Sequence, residues 1–241
     1  MKRFILGLAM AMVVWAGGSA MAADATAKID LNSAYVWRGI TFNDGLVAQP
    51  SIDVSKNGFG VNVWSNFDID DYDGTLDDNE FSEVDLTVYY GFSLEPVEIG
   101  LGLIEYLFPA GADGTREAYL SLEVPVAGGL SIGATTYYDN DQIHGWYTNA
   151  AVTYGHDLVD KLGLEAVAKA GYADQDYAEA YGGEDSGFYD YGLSLSLSYA
   201  ATDTLTLGAN INYVDSLDDD VLPDDLVDTD VFGGINVAYA F

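Results

Sequence analysis

Acidic side chains are the main chemical resource of this sequence. Their most patterned group lies in Ile69-Asp-Asp-Tyr-Asp-Gly-Thr-Leu-Asp-Asp-Asn-Glu80. Asp71, Asp73, Gly74, Asp77 and Glu80 fall at the third, fifth, sixth, ninth and twelfth positions of a calcium loop, where oxygen ligands surround a hard cation. Ile69 stands at the first position, where that pattern wants Asp, and the flanks read as strands instead of helices. Bound Ca²⁺ is thus one expectation for the segment, weighed against loose bridging of cations to lipopolysaccharide phosphates and against a merely solvated acidic surface. Catalytic chemistry has little material. The two histidines, His144 and His156, lie apart in sequence, and only Asp141 is close to one of them. A hydrolase would need a nucleophile or acid within hydrogen-bond reach of a histidine. The absence of Cys excludes thiolate catalysis, disulfides and Cys-ligated metals. The chain reads as a non-enzyme with no required cofactor.

A second set of charged residues is spread along alternating segments. Apolar and polar residues alternate with period two in twelve stretches, about 25–40, 47–55, 59–67, 81–92, 97–107, 116–124, 129–138, 146–155, 162–172, 187–200, 204–214 and 230–241. On the polar phase stand Lys28, Asp30, Arg38, Asp53, Glu83, Asp85, Glu98, Glu117, Glu123, Glu165, Lys169 and Asp190, with Trp64 among Asn62 and Asn66. Alternation alone does not separate a soluble sandwich from a membrane barrel, which turns its apolar face outward.

The connections make that separation. Turns near 56–58, 94–96, 125–128, 156–161 and 201–203 are short, whereas those at 41–46, 68–80, 108–115, 139–145, 173–186 and 215–229 are long and hold 23 of the 39 acidic residues. Short turns at one end and long loops at the other are a barrel property. On the apolar phase Phe59, Phe92, Tyr154, Tyr199, Tyr239 and Phe241 sit at short-turn ends, and Trp37, Phe67, Tyr138, Trp146, Tyr172, Tyr189 and Tyr213 at long-loop ends. These are expected to form two aromatic girdles. The expected fold is all-β: a transmembrane antiparallel up-and-down β-barrel of about twelve strands, filling residues 23–241 as one domain with nothing over for a plug.

Both termini fit an exported barrel. Lys2 and Arg3, the apolar run Phe4 to Ala16 and Ala20-Met21-Ala22 read as a cleaved signal peptide over 1–22. The final strand ends on Tyr239 and Phe241, which resembles the terminal signal read by the barrel-insertion machinery of the outer membrane. Without Lys2 and Arg3 the chain carries six basic residues against 39 acidic ones, a formal charge of −33, which excludes a nucleic-acid partner. The expected partners are outer-membrane lipid, lipopolysaccharide, the insertion machinery and small solutes. Nine acids against three bases on the inward phase point to a lumen that passes cationic or neutral solutes. The alternative is a filled, structural or surface-interaction barrel with cation-binding loops.

Ser33-Ala-Tyr-Val-Trp-Arg-Gly-Ile-Thr41, followed by Gln49-Pro50, Gly58-Phe-Gly60 and Val63-Trp-Ser-Asn66, resembles the opening of the TorF-like porins, and the terminal Phe241 matches as well. The resemblance covers the first third of the chain and implies an outer-membrane barrel with a transport role. It also suggests that Arg38 narrows the lumen, stacked on Trp64 or paired with Asp53 or Glu83, or that it only neutralises a buried carboxylate.

Overall fold

The computed structural model describes residues 23–72, 74, 79–109 and 111–241. The expected signal peptide, residues 1–22, lies outside them, as do Asp73 and Asp77 of the acidic loop. Among the described residues, twelve antiparallel strands close into a barrel. In chain order the elements are β1 (Asp24–Asn32), β2 (Tyr35–Trp37), β3 (Ile40–Asn43), β4 (Val47–Lys56), β5 (Phe59–Asp68), β6 (Glu80–Leu94), β7 (Val97–Leu107), β8 (Thr115–Pro125), β9 (Leu130–Asp139), β10 (Trp146–Val159), β11 (Leu162–Ala173), α1 (Gln175–Ala180), β12 (Gly187–Ala200), β13 (Leu205–Ser216) and β14 (Val231–Ala240). Each barrel strand pairs with its sequence neighbours, β1 pairs with both β4 and β14, and β2 and β3 form a separate two-stranded sheet. The Phe241 amide donates to the Ala25 carbonyl at 2.9 Å, so the chain end closes the β1–β14 seam.

The pleat sorts side chains as the sequence requires. Ile52, Val61, Leu86, Leu103, Leu122, Ile132, Val152, Leu195, Ile211 and Ile235 are exposed on the outer wall. Asp30, Glu83, Glu117, Glu165 and Asp190 are buried inside it. The apolar face outward, with no helix among the described residues long enough to cross a bilayer, is the inversion that distinguishes a lipid-facing barrel from a sandwich. The short turns are tight. Asn57 and Gly58 both take positive φ, 52° and 85°, the type I′ geometry whose twist matches a hairpin.

Three expectations need correction. The first strand does not run to residue 40, and the barrel is not empty of other structure. The chain leaves the wall after Asn32, and β2 and β3 make a hairpin whose Ala34, Tyr35 and Ile40 are buried. Arg38 and Gly39 at its tip have φ of 49° and 90°, again a two-residue I′ turn. A Cβ at Gly39 would meet the Leu222 side chain at 2.7 Å, so this position needs glycine for both reasons. Second, Trp37 belongs to that hairpin and packs on Tyr106 and Tyr181, outside any girdle. Third, Tyr189 does not join the outer girdle. The β11–β12 register slips between Ala170 and Tyr172, which sets Tyr189 and Asp190 together opposite Gly171. This is a β-bulge, and it turns both side chains inward to full burial. Trp146 and Tyr172 do stay exposed at the long-loop end, and Phe59, Tyr154, Tyr199, Tyr239 and Phe241 at the other.

Candidate functional site

The hairpin tip delivers Arg38 into a box at the long-loop end of the lumen. Its Nη1 and Nη2 donate to Glu117 Oε1 and Oε2 at 2.7 and 2.6 Å, a fork-to-fork ion pair. Nη1 also donates to the Tyr177 hydroxyl at 2.9 Å. The guanidinium carbon lies 4.2 Å from the ring centroids of Trp37 and Tyr137 and 4.5 Å from that of Tyr147. Glu117 accepts a further bond from the Tyr106 hydroxyl at 2.8 Å. Each contact comes from a different element. β8 supplies Glu117, β9 Tyr137, β10 Tyr147, and α1 supplies Tyr177. The six-residue helix is started by Asp174, whose carboxylate accepts from the Tyr177 amide at 3.0 Å and from the Trp146 amide at 2.9 Å.

Two more polar contacts bind the hairpin to the β5–β6 wall. The Tyr35 hydroxyl donates to Glu83 at 2.8 Å, and Asn43 donates to Asp68 at 2.7 Å. Val221 and Leu222 of the last loop are buried against the same cluster, and the Thr229 amide donates to Thr41 at 3.0 Å. The hairpin is therefore held on the acidic side of the lumen. On the other side a cavity of about 140 Å³ lies between it and part of β11–β14, lined by Val36, Arg38, Lys169, Ser194, Asn212 and Phe232, while Gly39 at the tip abuts Asp190 of β12.

The structure brings together Arg38, Glu117 and, through Tyr35, Glu83, with Asp85 beside Glu83, Trp64 on Tyr35 and Lys169 across the adjoining cavity, and it keeps Asp53 apart from them. Arg38 pairs with Glu117 and not with Asp53 or Glu83. It stacks on Trp37 and the lumen tyrosines, while Trp64 packs on Tyr35 with centroids 5.5 Å apart. Those alternatives assumed a straight first strand. The hairpin carries Arg38 across the lumen to the opposite wall. Asp85 lies beside Glu83 on β6, facing inward. Lys169 reaches Asp190 at 3.3 Å and Lys28 reaches Asp30 at 2.7 Å. Asp53 stands lower, half-buried, accepting from the Tyr89 hydroxyl at 2.9 Å and from Asn62 at 3.5 Å. Glu165 is buried on β11. His144 is exposed in a long loop, and His156 stacks on Tyr154 near a short turn. Asp71 and Glu80 flank the acidic loop whose middle lies outside the described residues.

Tyr106, Tyr137, Tyr147 and Tyr177 were not among the expected site residues. The first three carried a usable signal, since each is a large aromatic on the inward phase near a long loop. Tyr177 had none, because a six-residue helix folded into a lumen leaves little periodicity to read.

The architecture has relatives among solved structures. The KdgM porin in complex with disordered oligogalacturonate superposes with a TM-score of 0.56 at 12% identity, over 90% of this chain and 99% of that one. The NanC porin superposes at 0.52 and 14% identity, over 90% and 98%. At such identity the likeness shows the fold, a closed twelve-stranded porin-type barrel. No curated protein matches the sequence. A family model described as "bacterial protein of unknown function (Gcw_chp)" matches residues 16–229, and the chain belongs to that family.

Proposed function

We propose that this protein is an outer-membrane porin-like channel that passes small cationic or neutral solutes, narrowed at one end by the β2–β3 hairpin. The observation that carries the reading is the inside-out barrel, with a mainly apolar outer wall, interrupted by the Glu105–Arg116 ion pair, around a charged, polar lumen. The resemblance to TorF-like porins and the fold shared with KdgM and NanC support it. On this reading the signal peptide directs export, Tyr239 and Phe241 form the insertion signal, and the long acidic loops face outward toward lipopolysaccharide. Ca²⁺ bridging at Asp71, Asp73, Asp77 and Glu80 belongs to the same outward surface.

Charge preference follows from where the ion pairs lie. Arg38, Lys28 and Lys169 occupy Glu117, Asp30 and Asp190. Among the described residues the ion pairs leave Asp53, Glu83, Glu98 and Glu123 without a lysine or arginine, so the wall keeps negative charge and concentrates cations. A galacturonate polymer, the ligand of the KdgM structure, is a polyanion that this wall would repel. The test is the reversal potential of refolded protein in a planar bilayer under a KCl gradient. Cation preference supports the proposal, and anion preference overturns it. Absence of conductance in both the unmodified chain and Arg38→Ala would favour the alternative, a filled barrel whose role lies in its acidic loops.

A further inference from the structure

The box around Arg38 is made by groups that do not travel with it. Glu117 presents both carboxylate oxygens in the plane of the fork, and Tyr106 holds Glu117 from behind. Tyr137 and Tyr147 offer ring faces from the barrel wall, and Tyr177 adds a hydroxyl from α1. Only Trp37 moves with the hairpin. A carboxylate gripping a planar cation through both of its oxygens, with aromatic rings within about 4.5 Å of its central carbon, is the chemistry that selects a guanidinium over a hydrated point charge. A latch alone would need the ion pair. The additional rings make a pocket shaped for the cation itself.

Two observations set the occupant against its surroundings. Arg38 holds φ at 49°, a left-handed conformation that non-glycine residues adopt rarely. The cavity of about 140 Å³ lies beside the tip, lined by Arg38 and Gly39 and not by Glu117, so the hairpin is not packed on every side.

We propose that this box is a binding site for solutes carrying a guanidinium group, filled in this structure by the chain's own Arg38, and that such a solute displaces the hairpin by competing for Glu117. The inference extends the channel reading by naming a solute class, but the binding step stands without ion flow. An occupant on a short tether acts at an effective concentration in the millimolar range or above. Free ligand must therefore exceed that range in the unmodified protein and needs less where the tethered competitor is gone.

The experiment uses methylguanidinium chloride, with methylammonium chloride and NaCl at equal ionic strength, on refolded protein in detergent. For Arg38→Gln, methylguanidinium should raise the melting temperature saturably. Methylammonium should do so less and NaCl not at all, and Arg38→Gln/Glu117→Gln should lose the response. Equal responses in the single and double variants, or to all three salts, would overturn the proposal and leave a simple latch. If Arg38→Gln does not fold, hydrogen exchange of residues 35–43 is compared in the unmodified chain and Arg38→Lys. Methylguanidinium should speed exchange in both, at a concentration at least several-fold lower in Arg38→Lys, and no effect on either would overturn the proposal. Neither readout involves conduction, so failure here and failure of the channel reading are separable.

Discussion

At the long-loop end of the lumen, Glu117, Tyr147, Tyr177, Tyr189 and Asp190 are 2% exposed or less. Toward the short-turn end, Asp53, Asn62, Ser196, Ser198 and Asn210 point into the same lumen and remain half-buried. The strands are continuous through both zones, so the wall does not account for the difference. The contents do. The upper zone holds a hairpin, a helix and a ring of tyrosines that convert inward-facing acids into hydrogen-bond acceptors. Among the described residues the lower zone has no such insert; its wall carries mostly Ser, Thr, Asn and Gly inward, with Tyr89 and Tyr119 lying over Gly60 and Gly102. One barrel thus has an end filled by inserted elements and an end lined by wall side chains alone, and the division follows where the long loops fold inward.

The contrast predicts that stability and selectivity depend on different halves. The largest effect belongs to the upper zone. Arg38→Ala leaves Glu117 buried and unpaired, which should cost about 3–5 kcal/mol. Replacing both residues by Met should cost less than that single change, because it removes the stranded charge. Thermal melting of Arg38→Met, Glu117→Met and the double Met variant against the unmodified chain makes a double-mutant cycle, and a coupling near zero would break the account of the box.

A smaller loss is expected at the bulge. A Cβ at Gly171 would collide with Asp190 and the Tyr147 ring, so Gly171→Ala should cost about 1–3 kcal/mol. Gly155, on the inward phase of the lower zone, has open space where its Cβ would go, and Gly155→Ala should shift the melting temperature much less. Equal shifts would mean that the lower zone is packed as tightly as the upper.

The smallest stability effect is paired with the clearest functional one. Asp53→Asn keeps the shape and can still accept from Tyr89, so stability should change by less than about 1 kcal/mol. It removes a half-exposed wall charge, so cation preference in the reversal potential should fall. Raising the salt from 0.1 to 1 M should also weaken the preference of the unmodified protein, as the Debye length drops from about 10 to about 3 Å.

Much of this was legible in the sequence. Strand number, the outward phase, most of the aromatic ends and the inward phase of Asp30, Glu83, Glu117 and Glu165 followed from period-two alternation and from loop lengths, because a barrel wall is a local pattern repeated. The hairpin was hidden by the same regularity. Tyr35-Val-Trp37 continues the alternation of β1, so only Arg38-Gly39, a turn-forming pair in mid-strand, marked the departure. Tyr189 was misplaced because a bulge shifts phase by one residue, and Gly171, the residue that permits it, is one of many glycines. The pairing of Arg38 with Glu117 joins positions 79 apart and depends on how a loop crosses the lumen, which periodicity does not encode.

Single-channel conductance, compared between the unmodified protein and Arg38→Ala in the same bilayer, tests the division of the lumen most directly. The account predicts a low conductance for the unmodified chain and a several-fold larger one for the variant, both with cation preference, because the hairpin and not the wall sets the narrowest point. Equal conductances, in variants shown to be folded by their heat-modifiable migration on a gel, would contradict it.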